Sequence, residues 1–238
     1  SFSYFHYDGN SVFLQYRMEK PIEVAPITDD EHVHCPRSLP MLQFGMTPKE
    51  ILENNGDFKT SPLLDTAHRI HACFETLKIP YVFIGGMAVI RNNAQRTTVD
   101  VDVLSSHEGW GRLSKAGHEG FAFHPEWAED RANGIEIDVI FPGDDWEMAI
   151  PYPQPEDGRE WDPVLKGWYL SLRSLIEIKT AVYQKKLAED GKEVAAKELA
   201  DLVALTQNNR SKITAEFIAT LNAAIREQYR EIVLAVLK

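Results

Sequence analysis

The chain has 238 residues, of which 44% are hydrophobic and 26% are charged, a composition typical of a soluble globular protein rather than a disordered or fibrous one. Lys and Arg number 25 against 36 Asp and Glu, and the formal net charge of −11 opposes bulk binding to a nucleic-acid backbone. The sequence has no apolar run of about 18 residues, no signal-peptide pattern and no cysteine framework, so we expect a cytoplasmic protein that does not enter a membrane.

The first sixty residues predict an extension of short strands and loops that wraps a larger body, because aromatic residues mix with prolines and no helical period is sustained. Within it, residues 47–50 (TPKE) predict the start of a short helix that ends near 55–56. A second helix is predicted to begin at Pro62 and to stop before Pro80, since its apolar residues recur at spacings of three and four.

The centre of the chain predicts three short strands. Residues 81–84 form a β-branched and aromatic run that ends at a Gly-Gly turn and continues into a helix. Apolar and polar residues alternate over 97–104 and again over 135–141, which predicts two further strands. Prolines recur from 142 to 163 and predict a stretch rich in loops.

The chain is predicted to be helical from about Ser171 to its end, with Gly191 as a terminator between two helices. This change of character suggests three regions. We predict an N-terminal extension over 1–60, a core over 61–165 and a helical C-terminal region over 166–238.

Three carboxylates are predicted to face one another in the core. Asp100 and Asp102 are two apart on one strand and so share a face, and Asp138 comes from another strand. Like charges held together raise one another's pKa unless a cation compensates, and carboxylate oxygens suit Mg²⁺ or Mn²⁺. A metal site is the simplest explanation, although an isolated Asp-x-Asp on a wet strand face is more often merely solvated. Glu136 shares the parity of Asp138, so it is either a fourth acidic ligand or, as is commoner for a residue at a strand end, a side chain that faces solvent.

A glycine turn, Gly85-Gly86, precedes the paired aspartates by about fifteen residues and is followed by a helix start. Free backbone N–H groups at such a position favour the binding of a phosphate group, although a tight turn without a ligand would have the same sequence. The motif G-x-G-x-x-G of dinucleotide-binding folds is not present. Together, a phosphate cradle, paired carboxylates on the next strand and a third carboxylate beyond predict a site for a metal-bound nucleoside triphosphate.

These motifs resemble the nucleotidyltransferase superfamily, which has a DNA polymerase β-like fold, and in particular its minimal and abortive-infection toxin-like branch. The resemblance covers about residues 62–206, and the matching stretches are 84–88 (IGGMA), 96–103 (RTTVDVDV), 136–140 (EIDVI), 175–179 (LIEIK) and 197–202 (KELADL). It implies an α/β (α+β) fold, with a small mixed twisted sheet and flanking helices followed by a helical C-terminal region.

The resemblance implies a Mg²⁺-dependent (or Mn²⁺-dependent) transfer of a nucleoside monophosphate from a nucleoside triphosphate, with ATP as the expected co-substrate, to a hydroxyl or other acceptor. Asp100, Asp102 and Asp138 would be the catalytic residues and metal ligands. The nucleotide would be bound by Gly85, Gly86, Arg96, Thr98 and Lys179. The acceptor stays open between a small molecule, a protein and a tRNA. The alternative is a nucleotidyltransferase fold without that activity, which acts as a nucleotide- or metal-binding or interaction module or catalyses another reaction.

Several polar residues have a structural interpretation beside the functional one. Lys179 lies on the apolar stripe of its helix, so its amine either extends to water or reaches a triphosphate. Arg96 either binds phosphate or anchors its strand. Lys197 and Asp201 are spaced as a helix-surface ion pair, and the acidic segment 126–130 is predicted to be a solvated turn.

Overall fold

The computed structural model describes residues 61–94, 98–144 and 147–237, together with the backbone of two short strands near the amino terminus. The chain divides into two compact units, Ser1–Leu42 and Gln43–Lys238. In the first unit, strands β1 (Phe5–Tyr7) and β2 (Val12–Leu14) pair antiparallel. The helix predicted from residue 47 lies outside the described residues.

One mixed sheet of seven strands forms the centre of the second unit. Its strands are β3 (Tyr81–Phe83), β4 (Val101–Ser105), β5 (Phe121–Phe123), β6 (Trp127–Asp130), β7 (Ile135–Ile140), β8 (Arg159–Asp162) and β9 (Gly167–Leu170). They lie in the order β5-β6-β7-β4-β3-β9-β8. The pairs β4–β7 and β3–β9 are parallel, and the other pairs are antiparallel.

Seven helices accompany the sheet in the described part of the second unit. They are α1 (Pro62–Leu77), α2 (Gly85–Arg91), α3 (His107–Ala116), α4 (Leu172–Glu189), α5 (Lys192–Asn208), α6 (Ala215–Thr220) and α7 (Ala223–Val236). The predicted fold class, a mixed sheet with flanking helices followed by a helical C-terminal region, is confirmed. Among the described helices, none is both long and apolar enough to cross a membrane.

The alternation of side chains along β4 separates two parts of the core. Val101 and Val103 pack on one face of the sheet in a cluster that includes residues of α1 and α3. Leu104 packs on the other face with residues of α2, α4 and α5. Because neighbouring strand residues point to opposite faces, Asp102 lies on the same face as Leu104.

Two predictions about the strands are wrong. The strand that carries the paired aspartates begins at Val101, not at residue 97, because residues before it bend and Val99 is 78% exposed. The acidic segment 126–130 is not a solvated turn, since most of it forms β6 and Asp130 is fully buried. The Asp130 carboxylate accepts hydrogen bonds from Thr66 and Arg69 of α1, which supply the compensation that a buried charge requires.

The boundary predicted at residue 165/166 stays a prediction. Strand β9, just beyond it, is hydrogen-bonded to β3 within the sheet, and α4 follows directly. The helical C-terminal region is therefore continuous in sequence with a strand of the core sheet.

Candidate active site

The structure brings the three predicted carboxylates together. Asp102 of β4 and Asp138 of β7 lie opposite each other in the parallel pair, and Asp100 immediately precedes β4. One carboxylate oxygen of each lies within 4.8 Å of those of the other two. The parallel register thus joins residues that are far apart in sequence, and the set of hard oxygen donors fits a divalent cation.

The electrostatics of this cluster oppose full ionisation of its members. Burial raises the pKa of Asp138, and the negative charges of Asp100 and Glu136 raise it further. A carboxyl group with a raised pKa is a better proton acceptor than an ordinary aspartate, and a bound cation would compensate the repulsion. Charge and geometry therefore both favour a cation here.

Thr98 fixes the orientation of Asp100. The Thr98 side chain is buried, and its hydroxyl donates a hydrogen bond of 2.7 Å to Oδ1 of Asp100. This bond leaves the second carboxylate oxygen of Asp100 available for another ligand. The motif predicts that Thr98 binds nucleotide, whereas the structure places it behind a predicted metal ligand; its contact with a nucleotide stays a prediction.

The glycine turn packs directly against the acidic cluster. Gly85 has a φ of +52°, a conformation that favours glycine, and a Cβ at this position would collide with the Asp102 carboxylate. A Cβ on Gly86 would collide with Thr98, and the Gly86 N–H donates a long hydrogen bond of 3.4 Å to Oδ2 of Asp102. Both glycines are therefore required for the first turn of α2 to approach the aspartates.

Lys179 of α4 is held by two carboxylates of α5. Its Nζ lies 2.7 Å from Oε2 of Glu198 and 2.7 Å from Oδ2 of Asp201. Lys186 also binds Glu198, at 2.8 Å from Oε1. Although burial alone would raise it, the charge of Lys179 lowers the pKa of Glu198 to about 2. Asp201, predicted to pair with Lys197 on the surface, is buried and pairs with Lys179 instead. A role of Lys179 at a triphosphate stays a prediction.

Tyr152 is a residue near the site that the sequence did not point to. It is buried, and its backbone binds the turn after β7 through Gly143 and Asp144. Burial raises the pKa of Tyr152 to about 12, and the charges of Glu198, Asp102 and Asp144 add to the increase. Its hydroxyl thus lies within the electrostatic range of both the aspartates and the α4–α5 ion network. A tyrosine in a proline-rich stretch carries no periodic or motif signal.

Neither Arg96 nor the cleft of the second unit adds a residue to the acidic cluster in the part of the chain that the structure describes. Arg96, predicted to bind nucleotide, lies outside the described residues. A cleft of about 560 Å³ lies beyond the C-terminal end of α2 and contains none of the three aspartates; its lining includes Arg91, Asn92 and Arg173. The cleft is therefore a feature separate from the acidic cluster, whose three aspartates are half-buried.

Comparisons with known proteins found similarity only at the level of solved structures. No protein-family model and no curated protein matches the chain. A crystal structure of ANT(2″)-Ia with adenylyl-2″-tobramycin is similar with a TM-score of 0.47 and 16% identity, over 71% of this chain and 97% of that one. A solution structure of the same antibiotic-resistance factor has a TM-score of 0.45 and 15% identity, over 72% and 95%. A Thermotoga maritima protein described as a nucleotidyltransferase has a TM-score of 0.41 and 15% identity, over 61% and 92%. At these identities the likeness to all three structures concerns the fold alone.

Proposed function

We propose that the protein is a metal-dependent nucleotidyltransferase that transfers a nucleoside monophosphate from a nucleoside triphosphate to a hydroxyl or other acceptor. The observation that carries the proposal is the convergence of Asp100, Asp102 and Asp138, whose carboxylate oxygens lie within 4.8 Å of one another. Magnesium, with ATP as the triphosphate and the cytoplasm as the location, belongs to the same proposal.

The three aspartates would hold the metal. Two divalent ions, when bound, would lower the pKa of the attacking hydroxyl and stabilise negative charge on the triphosphate. Asp100 and Asp102 would contact both ions and Asp138 one of them. Thr98 would keep Asp100 in a single orientation through the hydroxyl bond described above. This arrangement gives each carboxylate a defined task in the transfer.

A residue of the chain accepts the proton that the acceptor hydroxyl loses in the transfer. The acceptor oxygen forms a bond to the α-phosphorus, and the bond from that phosphorus to the oxygen bridging to the β-phosphate breaks. Pyrophosphate leaves with the electron pair, and the proton of the acceptor hydroxyl goes to Asp138. Asp138 suits that task by position, because one of its carboxylate oxygens lies within 4.8 Å of those of Asp100 and Asp102.

The proposed nucleotide-binding residues surround the same cluster. The first turn of α2 lies against Asp102 and Thr98, which supports placing the triphosphate beside Gly85 and Gly86. Lys179 would have to exchange one of its two carboxylate partners for a phosphate oxygen to contact the triphosphate. Arg96 is proposed from its motif position alone.

The position of a label in the product tests the proposal. The protein is incubated with Mg²⁺, a cell extract and ATP labelled at the α-phosphate or, in parallel, at the γ-phosphate. We expect the α label to move to an acceptor with release of pyrophosphate, and Asp102→Asn to abolish the transfer while Asp157→Asn, which removes an exposed carboxylate elsewhere, does not. Transfer of the γ label would indicate a kinase-like reaction. Binding of ATP without transfer in any extract would favour the binding-module alternative.

A further inference from the structure

The cleft of about 560 Å³ beyond the C-terminal end of α2 has the size of a small-molecule site, since ligand pockets in proteins usually measure about 300–1,000 Å³. Its lining comes from four parts of the second unit, which are the end of α2, strand β8, the start of α4 and the segment from Lys212 into α6. None of the three aspartates lines it. A ligand in the cleft would therefore contact several elements at once without contacting the proposed metal ligands.

Buried amide side chains hold the end of α2 in place at the cleft. Asn92 belongs to the lining and is only 5% exposed. Its side-chain amide donates hydrogen bonds to the main-chain oxygens of Ala88, at 2.9 Å, and Leu170, at 3.1 Å. The main-chain oxygen of Asn92 accepts a bond of 2.7 Å from the side chain of Asn209, which follows α5. These bonds join α2, β9 and α5, so this wall of the cleft is formed before a ligand arrives.

The two carboxylates of the lining already have partners. An oxygen of Glu160 lies 2.7 Å from Nη1 of Arg91, and an oxygen of Asp162 lies 3.3 Å from Nε of the same arginine. Asp162 also accepts hydrogen bonds from the backbone N–H groups of Val164 and Leu165. These interactions stabilise the negative charges of the lining locally, and they leave its other cations to a ligand.

Two cations of the lining keep most of their hydrogen-bond donors free of acceptors in the described ranges. Lys212 is exposed, and its amine forms no ion pair or hydrogen bond with a residue in those ranges. Arg173 is 52% exposed and binds Glu177 through Nε alone, at 3.4 Å, in the kind of surface pair that contributes little. Three cations against two carboxylates thus line this cleft, in a chain whose net charge is −11.

An apolar wall accompanies the two cations. The half-buried ring of Phe217 and the buried Leu172 line the same cleft. Cations beside an aromatic ring suit a molecule that has an anionic group and a planar or apolar body. A phosphate monoester carries a charge of about −1.5 to −2 at pH 7, so it matches two cations better than a carboxylate does, and an arginine guanidinium fits phosphate oxygens in a bidentate manner.

We propose that this cleft is a second ligand site, which binds a small phosphate monoester whose organic part is planar or apolar. The phosphate oxygens accept hydrogen bonds from Arg173 and Lys212, and the organic part packs against Phe217 and Leu172. The assignment does not depend on the proposed nucleotidyltransferase function, because the cleft shares no residue with the three aspartates.

Calorimetric titration of the full chain with phenyl phosphate tests the site. EDTA is present, because without divalent cations the three aspartates repel an anion. The wild-type protein should bind phenyl phosphate, and Arg173→Gln/Lys212→Gln should bind it about fivefold more weakly. The charge-matched control Lys115→Gln/Arg230→Gln, which removes two exposed cations outside the lining, should stay within about twofold of wild type. Equal weakening in both double variants, or no binding to wild type, would overturn the inference.

Two simpler ligands and one further variant test the two parts of the ligand separately. Inorganic phosphate has no ring and benzoate has a single charge, so each should bind about fivefold more weakly than phenyl phosphate. Phe217→Ala should weaken the binding of phenyl phosphate and leave that of inorganic phosphate within about twofold. Benzoate that binds as tightly as phenyl phosphate would overturn the phosphate assignment, and inorganic phosphate that does so would overturn the apolar part.

Stability and charge controls exclude an indirect effect of the substitutions. Since Arg173 and Lys212 are exposed, Arg173→Gln/Lys212→Gln should melt within about 2 °C of wild type, and Arg173→Lys/Lys212→Arg should keep its affinity within about threefold. Loss of binding in this charge-preserving variant would contradict a site that works through its two positive charges. Phenyl phosphate binding without binding of Mg²⁺ and α,β-methylene-ATP would refute the proposed function alone, and the reverse result would refute the cleft alone.

Discussion

Single atoms determine how closely the glycine turn can approach the aspartates. Gly86 has no room for a side chain because Thr98 occupies the position of its Cβ, and Thr98 in turn holds Asp100. Gly111, in the middle of α3, is the opposite case, since a Cβ there would meet nothing within 4 Å. The sequence marks Gly86 as part of a turn, but only the structure shows that Thr98 leaves no room for a side chain there.

The two glycines should therefore respond oppositely to the same substitution. Gly86→Ala should lower the free energy of unfolding by about 1–3 kcal/mol, because the new methyl group must displace Thr98. Gly111→Ala should raise it by about 0.5–1 kcal/mol, since alanine restricts the unfolded chain and suits a helix interior. Urea denaturation measures both. Similar effects of the two substitutions would contradict the close packing of α2 on the acidic cluster.

At the scale of elements, the buried ion network connects α4 to α5. Glu198 forms ion pairs with both Lys179 and Lys186, and Lys179 also forms an ion pair with Asp201. Buried charges cost free energy unless they are paired, so removal of one partner should be far more disruptive here than on the surface. Tyr152 experiences the charges of both Glu198 and Asp102, so the network and the acidic cluster are connected electrostatically.

The contribution of Glu198 should depend on pH. Its pKa is lowered from 4.5 in the unfolded chain to about 2 in the folded protein, so its stabilisation is complete above about pH 4.5 and is lost as the pH falls towards 2. Glu198→Gln should cost about 3 kcal/mol at pH 7, and the difference from wild type should shrink through that window. Denaturation curves at pH 7 and pH 3 measure it, with the exposed Glu193→Gln as a control that should change little. A difference independent of pH would contradict the ion pairing.

At the scale of the whole molecule, the sequence predicted features that short stretches specify. The helix after Pro62, the strand and glycine turn at 81–86 and the strand at 135–141 are all present, because each has its own periodicity or end signal. Strands β5, β6 and β8, with three or four residues each, are too short for a periodic pattern to emerge.

Long-range partners were beyond the reach of the sequence. Asp130 is buried because Arg69 and Thr66, on a helix far away in the chain, meet it. Lys179 pairs with Glu198 and Asp201 rather than with water because α4 and α5 pack together, which its helical stripe could not reveal. Strand parity predicted that Asp100 and Asp102 share a face, whereas their approach to Asp138 depends on the pairing of β4 with β7.

Two salts should distinguish the effect of the overall negative charge on stability from the effect of the three clustered aspartates. Sodium chloride should raise the melting temperature of every variant by screening the net charge of −11. Without metal, Asp138→Asn should melt about 2 °C above wild type. Burial and the charges of Asp100 and Glu136 raise the pKa of Asp138 in the folded protein, so its ionised form at pH 7 destabilises the fold.

Millimolar MgCl₂ should raise the wild-type melting temperature by about 5 °C beyond sodium chloride of equal ionic strength. Asp138→Asn should lose that additional increase, and Asp157→Asn should keep it. An equal response of Asp138→Asn and wild type to Mg²⁺ would show that the ion acts on the overall charge and not at the three aspartates.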